Sequence, residues 1–345
     1  MVTRPFRKLI PTVVVAVAAG CSVAVLAGSL VAPHLSGKAA PEVCLAVDDR
    51  LPAPDTGMIL IPAGRFKMGS EDFRPEEAPI RDVSVESFWI DSHDVTNAQF
   101  AKFVAETGYV TVSERAPTAV SEAQAMTPGR PINSPGSWVF VQPDEIRNLE
   151  DIGQWWKFVP GASWRHPEGP GSSLDGRQNH PVVQVAFEDA EAYARWAGRT
   201  LPTEEQWEFA ARGGRDGKIY LWTPEQDSDD KPLANHWRGV FPILNFGSSG
   251  YKRTSPVGCF PANGYGLYDI VGNVWQWTRS SWTADHLPAS APAPREPAYV
   301  IKGGSFLCAP NFCMRYRPAA RQPGDGTVGA QHIGFRTVLA KAPSQ

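Results

Sequence analysis

The sequence predicts a single α+β domain that is rich in loops and sparse in regular secondary structure. Its 345 residues, 42% of them hydrophobic, are enough to fill a sizeable core. The 32 Pro, 31 Gly and 12 Trp favour loops that large aromatic side chains hold in place. Short apolar runs bounded by turn residues predict strands, and capping-box patterns predict a few helices.

Three helices are predicted from their start and stop signals. Thr96 opens a capping box before the first helix, and Gly108 follows its last turn. The second helix is expected over residues 188–197. Thr203 opens the third helix with the same capping pattern, and Gly213 ends it. We interpret the acids in its first turn as charges that complement the helix dipole.

Strands are predicted near both ends of the domain. They cover Met58–Pro62, the stretch from Val83 to Ile90, Tyr299–Lys302 and Gly334–Ala340. Residues 116–176 have weak periodicity, so we expect irregular excursions over the core there, and residues 281–297 should form a surface loop. The chain from Gly57 onward shows no internal repeat and no change of composition, so one domain over residues 57–341 is expected.

The N-terminus has the pattern of an export segment. Arg4, Arg7 and Lys8 precede an apolar run from Leu9 to about Pro33. This run is long enough to span a bilayer, so residues 1–35 are predicted to form an uncleaved membrane anchor, followed by a linker over residues 36–56. The positive-inside rule then leaves the domain outside the cytoplasm. Cleavage, which would give a secreted protein, and lipidation at Cys21 remain alternatives.

Charge excludes one class of partner. The net charge is -3 and the chain has no long basic run, so no nucleic acid partner is expected.

The chemistry of the chain is expected at two cysteines five positions apart. Straight secondary structure would separate Cys308 from Cys313, by roughly 16 Å on a strand. Pro310 and Asn311 are a favoured central pair for a tight turn, which can fold Cys313 back toward Cys308. Cys44 and Cys259 are left over. They could form a bridge, or they could be a tether thiol and a small buried residue.

The cysteine pair has three interpretations before any resemblance is considered. It could be a plain structural disulfide, as expected in an exported protein. It could bind a soft metal, and two sulfur ligands suit copper(I) better than tetrahedral zinc. It could be a redox dithiol. Nearby Arg315, Arg317 and Arg321 would lower a thiol pKa and favour the last two interpretations, although Arg317 and Arg321 could instead pair with core acids.

Several motifs together resemble the formylglycine-generating enzymes, also called sulfatase-modifying factors, which oxidise a cysteine to an aldehyde-bearing residue. The matching segments run from Gly57-Met58 through Asp94–Asn97, His180–Val182, Leu201–Glu208, Asn263–Tyr268, Gly272–Trp275 and Gly303–Ser305 to Gly334–Arg336. Most of these segments are typical of the wider fold, which is C-type-lectin-like. Cys308 and Cys313 occupy the positions of the active-site cysteines and are the discriminating feature.

The resemblance implies a site and a reaction. Cys308 and Cys313 would bind copper(I) as thiolates, with dioxygen as oxidant, and Cys313 would form a mixed disulfide with substrate. Ser305 and Trp275 match residues of the pocket for oxygen and thiol, although they could also be a turn hydroxyl and a core indole. The histidines form no H-x-x-x-E-x-H cluster, which argues against the iron-dependent relatives.

Two calcium sites are implied by the same resemblance, and both depart from the family pattern. The first maps onto Asn235, Ser249 and the carbonyls of His236 and Tyr251, where relatives carry an aspartate at the Ser249 position. The second maps onto Asp269, Gln276 and the carbonyls of Gly272 and Val274, where relatives carry asparagine and glutamate instead of Asp269 and Gln276. Since calcium affinity depends on ligand charge, we expect the second site to be better retained and the first to be weak or empty.

The leading functional hypothesis is a copper-dependent oxidase that acts on a cysteine in a Cys-x-Pro-x-Arg segment of a sulfatase. The alternative is a non-catalytic binding module of the same fold, with Cys308 and Cys313 as a structural disulfide. A thiol–disulfide exchanger is the third class.

Overall fold

The computed structural model describes Cys44 and residues 57–116, 134–215, 221–222, 226–284, 286 and 298–340. The predicted anchor over residues 1–35, all of the linker except Cys44, and most of the predicted loop over residues 281–297 lie outside these ranges. Within them, no helix combines the length and the apolar character needed to cross a membrane.

Short elements separated by loops make up the described residues. The strands are β1 (Met58–Ile61), β2 (Gly64–Met68), β3 (Arg81–Val85), β4 (Phe88–Asp91), β5 (Gly136–Phe140), β6 (Trp156–Pro160), β7 (Gly239–Val240), β8 (Leu244–Asn245), β9 (Trp275–Ser281), β10 (Ala298–Lys302), β11 (Arg321–Asp325), β12 (Ile333–Gly334) and β13 (Val338–Ala340). The helices are α1 (Asn97–Thr107), α2 (Phe187–Trp196) and α3 (Glu204–Arg212), with 3₁₀ turns at Pro75–Glu77, Val112–Glu114 and Ile152–Gln154. This confirms the α+β class.

Two sheets organise these strands. One has the order β1-β4-β13 and is antiparallel throughout. The other has the order β11-β10-β9-β12, and its strand β12 runs parallel to β9. The pairs β2-β3, β5-β6 and β7-β8 form separate two-stranded ribbons. A core cluster that includes Phe100, Trp207 and Trp277 packs around these elements and extends to Cys308.

The predicted helix signals are confirmed where they depend on local hydrogen bonds. The Thr96 hydroxyl accepts from the amide of Gln99 at 3.2 Å, and the Gln99 side chain accepts from the Thr96 amide at 2.9 Å. Thr203 and Gln206 repeat this reciprocal pair before α3. Gly108 ends α1 with φ 67°, a left-handed conformation that glycine adopts without steric cost.

Two predicted strands are each divided in the structure. The stretch from Val83 to Ile90 forms β3 and β4, which pair with different partners. Val85 and Phe88 are both buried, and residues three apart on one strand would face opposite sides, so the chain must break between them. The stretch from Gly334 to Ala340 likewise contributes β12 and β13 to two different sheets.

The expectation of an irregular segment over residues 116–176 is wrong in part. Within it, β5 and β6 form an antiparallel ribbon from Gly136 opposite Pro160 to Phe140 opposite Trp156. Val139 and Phe140 are buried, and Phe140 belongs to a second apolar cluster together with Trp155. Aromatic pairs pack edge-on across the ribbon, with ring centroids 5.8 Å apart for Trp138 and Phe158 and 6.2 Å apart for Phe140 and Trp156, and such pairs stabilise a sheet where apolar periodicity is weak.

Candidate active site

Cys308 and Cys313 meet across a tight turn, as the sequence predicts. The amide of Phe312 donates to the carbonyl of Ala309 at 3.1 Å, which places Pro310 and Asn311 at the centre of the turn. The two cysteines form a disulfide with their Cα atoms 5.1 Å apart. Cys308 is 1% exposed, whereas Cys313 is only partly buried. Cys308 therefore belongs to the core, and Cys313 is the more exposed residue of the pair.

The tip of this turn is fixed by the segment that links β7 and β8. Asn311 makes two hydrogen bonds to Phe241, accepting from its amide at 3.1 Å and donating to its carbonyl at 3.0 Å. The rings of Phe312 and Phe241 stack with centroids 4.3 Å apart, and Trp155 packs edge-on against Phe312. The turn is thus held by both polar and aromatic contacts.

The segment before Cys308 approaches the backbone behind Cys313 closely. Gly304 has φ 71°, and a Cβ there would lie 2.9 Å from the main chain of Arg315 and Tyr316, so only glycine fits. The next residue, Ser305, is fully buried and accepts from the amide of Cys308 at 2.9 Å through its carbonyl. Its hydroxyl accepts from the amide of Leu307 at 3.3 Å, which is the contact of a turn hydroxyl.

Trp275 lies at the start of β9 and is 2% exposed within the core cluster that also contains Cys308. Asn273, two residues earlier, connects this strand to the cysteine segment, because its carbonyl accepts from the amide of Phe306 at 2.9 Å. The pocket roles of Trp275 and Ser305 stay predictions, since these contacts also suit a core indole and a turn hydroxyl.

The three arginines that follow the cysteines are all paired with acids. Arg315 contacts Glu76 at 2.7 Å, Arg317 contacts Glu77 at 2.6 Å, and Arg321 contacts Glu204 at 2.8 Å. Of the two roles that the sequence left open for Arg317 and Arg321, the structure shows the pairing with buried acids, and the charge of Arg315 is compensated by a carboxylate as well. Glu76 and Glu77 were missed from sequence, because they precede the cysteines by more than 230 residues.

The donor chemistry of the pair fits copper(I). When the disulfide is reduced, the turn presents two sulfur atoms from a short loop, and soft thiolates select copper(I). Among the described residues, no group of three or more His, Cys, Asp or Glu side chains is arranged to hold a metal ion.

The first predicted calcium set brings three oxygen-bearing residues together. The Ser249 hydroxyl lies 3.4 Å from the side-chain oxygen of Asn235 and donates to the carbonyl of Tyr251 at 3.1 Å. The Asn235 amide nitrogen points elsewhere, to the carbonyl of Arg253 at 2.8 Å. These oxygens converge but carry no charge, which limits their calcium affinity.

The second calcium set contains the carboxylate of Asp269, but the side-chain amide of Gln276 already makes hydrogen bonds within the protein. The Gln276 side-chain oxygen accepts from Trp207 Nε1 at 2.6 Å and from Arg336 Nε at 2.8 Å, while its nitrogen donates to the Asp269 carbonyl at 3.1 Å. Both Trp207 and Arg336 are obligate donors, so the amide orientation follows from chemistry. Asp269 Oδ2 accepts from the Gly258 amide at 2.6 Å. Burial raises the pKa of Asp269 to about 6 despite this bond.

Calcium binding at this set stays a prediction, and it would require a change in the hydrogen bonds of Gln276. In this conformation Gln276 turns a nitrogen, and not an oxygen, toward Asp269. An ion ligated by Gln276 would need the side chain to give up its hydrogen bonds with Trp207 and Arg336 or to share that oxygen.

Cys44 and Cys259 form a second disulfide, which the sequence left open. The hydroxyl of Tyr251 lies 3.5 Å from the Cys259 sulfur and 3.8 Å from the Cys44 sulfur. The bridge therefore holds Cys44 beside the side chain of Tyr251, whose carbonyl belongs to the first calcium set.

Comparison with known proteins agrees with this arrangement. A family model described as a sulfatase-modifying factor enzyme 1-like domain matches residues 46–341. A protein of Mycobacterium tuberculosis named formylglycine-generating enzyme is 47% identical over 301 residues, covering 82% of this chain and 97% of its own. A mouse protein named inactive C-alpha-formylglycine-generating enzyme 2 is 38% identical over 296 residues, covering 82% and 86%.

Among solved structures, PvdO from Pseudomonas aeruginosa matches with a TM-score of 0.55 and 24% identity, covering 82% of this chain and 94% of its own. At this identity the likeness supports the fold alone.

Proposed function

This chain belongs to the sulfatase-modifying factor family, and we propose that it converts a cysteine of a sulfatase polypeptide to Cα-formylglycine. The single observation that carries the proposal is the meeting of Cys308 and Cys313 at one turn, with Cys313 nearer the surface. Relatives that share most of the chain are named for this activity.

Cys313 is proposed as the thiol that exchanges with substrate. Cys313 is the more exposed residue of the pair and Cys308 is buried, so we expect the substrate thiolate to attack the sulfur of Cys313. Exchange breaks the bond between the two cysteines and forms one between Cys313 and substrate, which leaves Cys308 as a thiol. The Asn311 contacts with Phe241 hold the turn in place while this happens.

Copper(I) and dioxygen complete the proposed chemistry. Cys308 and Cys313 would hold copper(I), which when bound supplies activation of dioxygen. Conversion of a cysteine CH2–SH to an aldehyde, with release of hydrogen sulfide, removes two electrons. Reduction of dioxygen to water takes four electrons, so a thiol reductant must supply the other two and become a disulfide. Ser305 and Trp275, both buried, are proposed to shape the pocket and exclude water.

The proposed substrate is a Cys-x-Pro-x-Arg segment presented before the sulfatase folds. We further propose that residues 1–35 anchor the chain with its domain outside the cytoplasm, or that their cleavage releases a secreted enzyme. Calcium is proposed as a structural ion at one of the two oxygen sets. The Asn235 set offers converging oxygens, and the Asp269 set offers a carboxylate.

A non-catalytic binding module is the second candidate, and two observations favour it. The cysteines are bonded to each other in the structure, as a structural disulfide would be, and two relatives are named as inactive. A thiol–disulfide exchanger is a third candidate, because Cys313 would serve that role equally well.

One experiment separates the three candidates. The chain is incubated with a Cys-x-Pro-x-Arg peptide, copper, a thiol reductant and air, and the peptide is analysed by mass and with an aldehyde-selective probe. An oxidase gives the aldehyde, an exchanger gives only disulfides, and a binding module leaves the peptide unchanged. Absence of aldehyde with copper-loaded protein would overturn the proposal.

A further inference from the structure

Two consecutive residues at the reactive cysteine have an unfavourable backbone conformation. Cys313 has φ 78° and Met314 has φ 51°. Residues with a Cβ rarely adopt this left-handed region, because the side chain crowds the following carbonyl. Two such residues in succession require surrounding contacts that hold them.

Arg317 supplies the contact that holds Met314. Its Nε donates to the Met314 carbonyl at 2.8 Å, while its two terminal nitrogens donate to the Glu77 carboxylate at 2.9 and 2.6 Å. A guanidinium is planar and its donors are fixed relative to one another. Because Glu77 fixes two of these donors, it also determines where the third one points.

Glu77 is itself rigidly placed. It is 0% exposed and closes the 3₁₀ turn at Pro75–Glu77, where its amide donates to the Arg74 carbonyl at 3.0 Å. Its own carbonyl accepts from the amide of Ser70 at 3.1 Å. Arg317 is 1% exposed, so water does not compete for the pair.

Contacts from the same turn reach the cysteine itself. Arg74 lies 3.5 Å from the Cys313 carbonyl, and Glu76 pairs with Arg315 at 2.7 Å. These neighbours are partly exposed and therefore weaker than the buried pair. Of these contacts, the buried pair of Glu77 and Arg317 should therefore contribute most to holding the backbone at Met314.

We infer that Glu77 is a positioning residue for the thiol of Cys313. Acting through Arg317, it holds the Met314 carbonyl, keeps Cys313 and Met314 left-handed, and keeps the Cys313 sulfur within reach of Cys308 after the disulfide is reduced. The inference rests on the proposed function insofar as Cys313 is the exchanging thiol. The pairing equilibrium of the two cysteines can nevertheless be measured without any aldehyde formation.

The test is the redox equilibrium of the full chain with glutathione. Two glutathione thiols reduce the Cys308–Cys313 disulfide, which gives two cysteine thiols and one oxidised glutathione. Alkylation and mass analysis of the peptide that spans both cysteines give the equilibrium constant. We expect Glu77→Gln to make the disulfide about tenfold easier to reduce, because the reduced cysteines are no longer held together.

A change at Met314 distinguishes positioning from a general structural role. Glycine adopts φ 51° without crowding, so Met314→Gly removes the steric cost that the contact through Glu77 and Arg317 must offset. Glu77→Gln should therefore shift the equilibrium much less in the Met314→Gly background than alone. A double-mutant cycle gives this coupling directly.

Two further variants complete the design. Arg317→Lys keeps the charge but lacks the Nε donor, so it should reproduce Glu77→Gln and replaces it if that variant does not fold. Asp91→Asn breaks another largely buried pair, whose carboxylate bonds Arg199 and Thr337, and should leave the equilibrium unchanged. The inference would be overturned if Glu77→Gln shifted the redox equilibrium equally in the parent chain and in the Met314→Gly chain. It would also be overturned if neither Glu77→Gln nor Arg317→Lys shifted that equilibrium. Absence of aldehyde in every variant would instead count against the proposed function.

Discussion

Gln276 donates a hydrogen bond of 3.1 Å to the main-chain oxygen of Asp269 at a place where the resemblance implies a calcium ion. Its oxygen faces two obligate donors, so its nitrogen must face that carbonyl. A glutamate at this position would turn a second oxygen toward the Asp269 carbonyl, and the two oxygens would repel each other unless a cation, a proton or a water molecule bridged them.

Gln276→Glu should therefore make stability depend on calcium. Without calcium the variant should unfold at a lower temperature than the parent chain, and calcium should restore it. At a free calcium concentration roughly 100 times Kd the gain should be about 3 kcal/mol. Thermal unfolding with calcium or chelator measures this. Ser249→Asp is the matched variant at the Asn235 set, and a calcium response in neither would exclude both sets as calcium sites.

Cys308→Ser and Cys313→Ser should each abolish aldehyde formation without unfolding the chain. Loss of a direct sulfur ligand should weaken copper(I) binding by more than the roughly 10–100-fold typical of an outer-shell partner. Cys308→Ser should still capture a substrate peptide that is supplied as its mixed disulfide with glutathione, because the Cys313 thiolate displaces glutathione as a thiol, whereas Cys313→Ser should not. Aldehyde formation by the double variant would refute the proposed mechanism.

A chain that begins at Gly57 should be less stable than one that begins just before Cys44. The shorter chain loses the Cys44–Cys259 disulfide, which joins residues 215 positions apart. Loss of a native disulfide costs about 2–5 kcal/mol. Denaturant unfolding of both chains tests this, with Cys44→Ser in the longer chain as control. Equal stability of all three would mean that the bridge does not contribute.

Acid should destabilise the fold through Glu208. Although burial raises its pKa, Lys302 and Arg212 together with the amide of Gly69 bring it down to about 2. The unfolded chain therefore binds the extra proton, so this stabilisation is present above about pH 4.5 and is lost as pH falls toward 2.

Glu208→Gln should remove that part of the pH dependence and lower stability at neutral pH by about 3–5 kcal/mol, because Lys302 and Arg212 both lose a buried carboxylate and Lys302 keeps a longer contact with Glu204 at 3.4 Å. Glu106→Gln is the control, since Glu106 pairs with Lys102 on the surface. Denaturant unfolding between pH 2 and 7 measures how the free energy of unfolding of each variant changes with pH. Parallel profiles for the parent chain and Glu208→Gln would contradict the assignment.

The sequence alone determined the features that depend on residues close together along the chain. The capping of α1 by Thr96, the left-handed stop at Gly108 and the turn that brings Cys313 back to Cys308 were all predictable. In each case the hydrogen-bonding groups lie within a few residues of one another, so local chemistry decides the outcome. The family also followed from such local motifs.

Only the tertiary structure decided which distant groups meet. It paired Arg317 with Glu77 across 240 positions and Cys44 with Cys259 across 215, and it divided β3 from β4 by giving them different partners. The physical reason is that a buried charge or thiol has many chemically equivalent partners along the chain. The packing of the core selects one of them, and no local pattern records that choice.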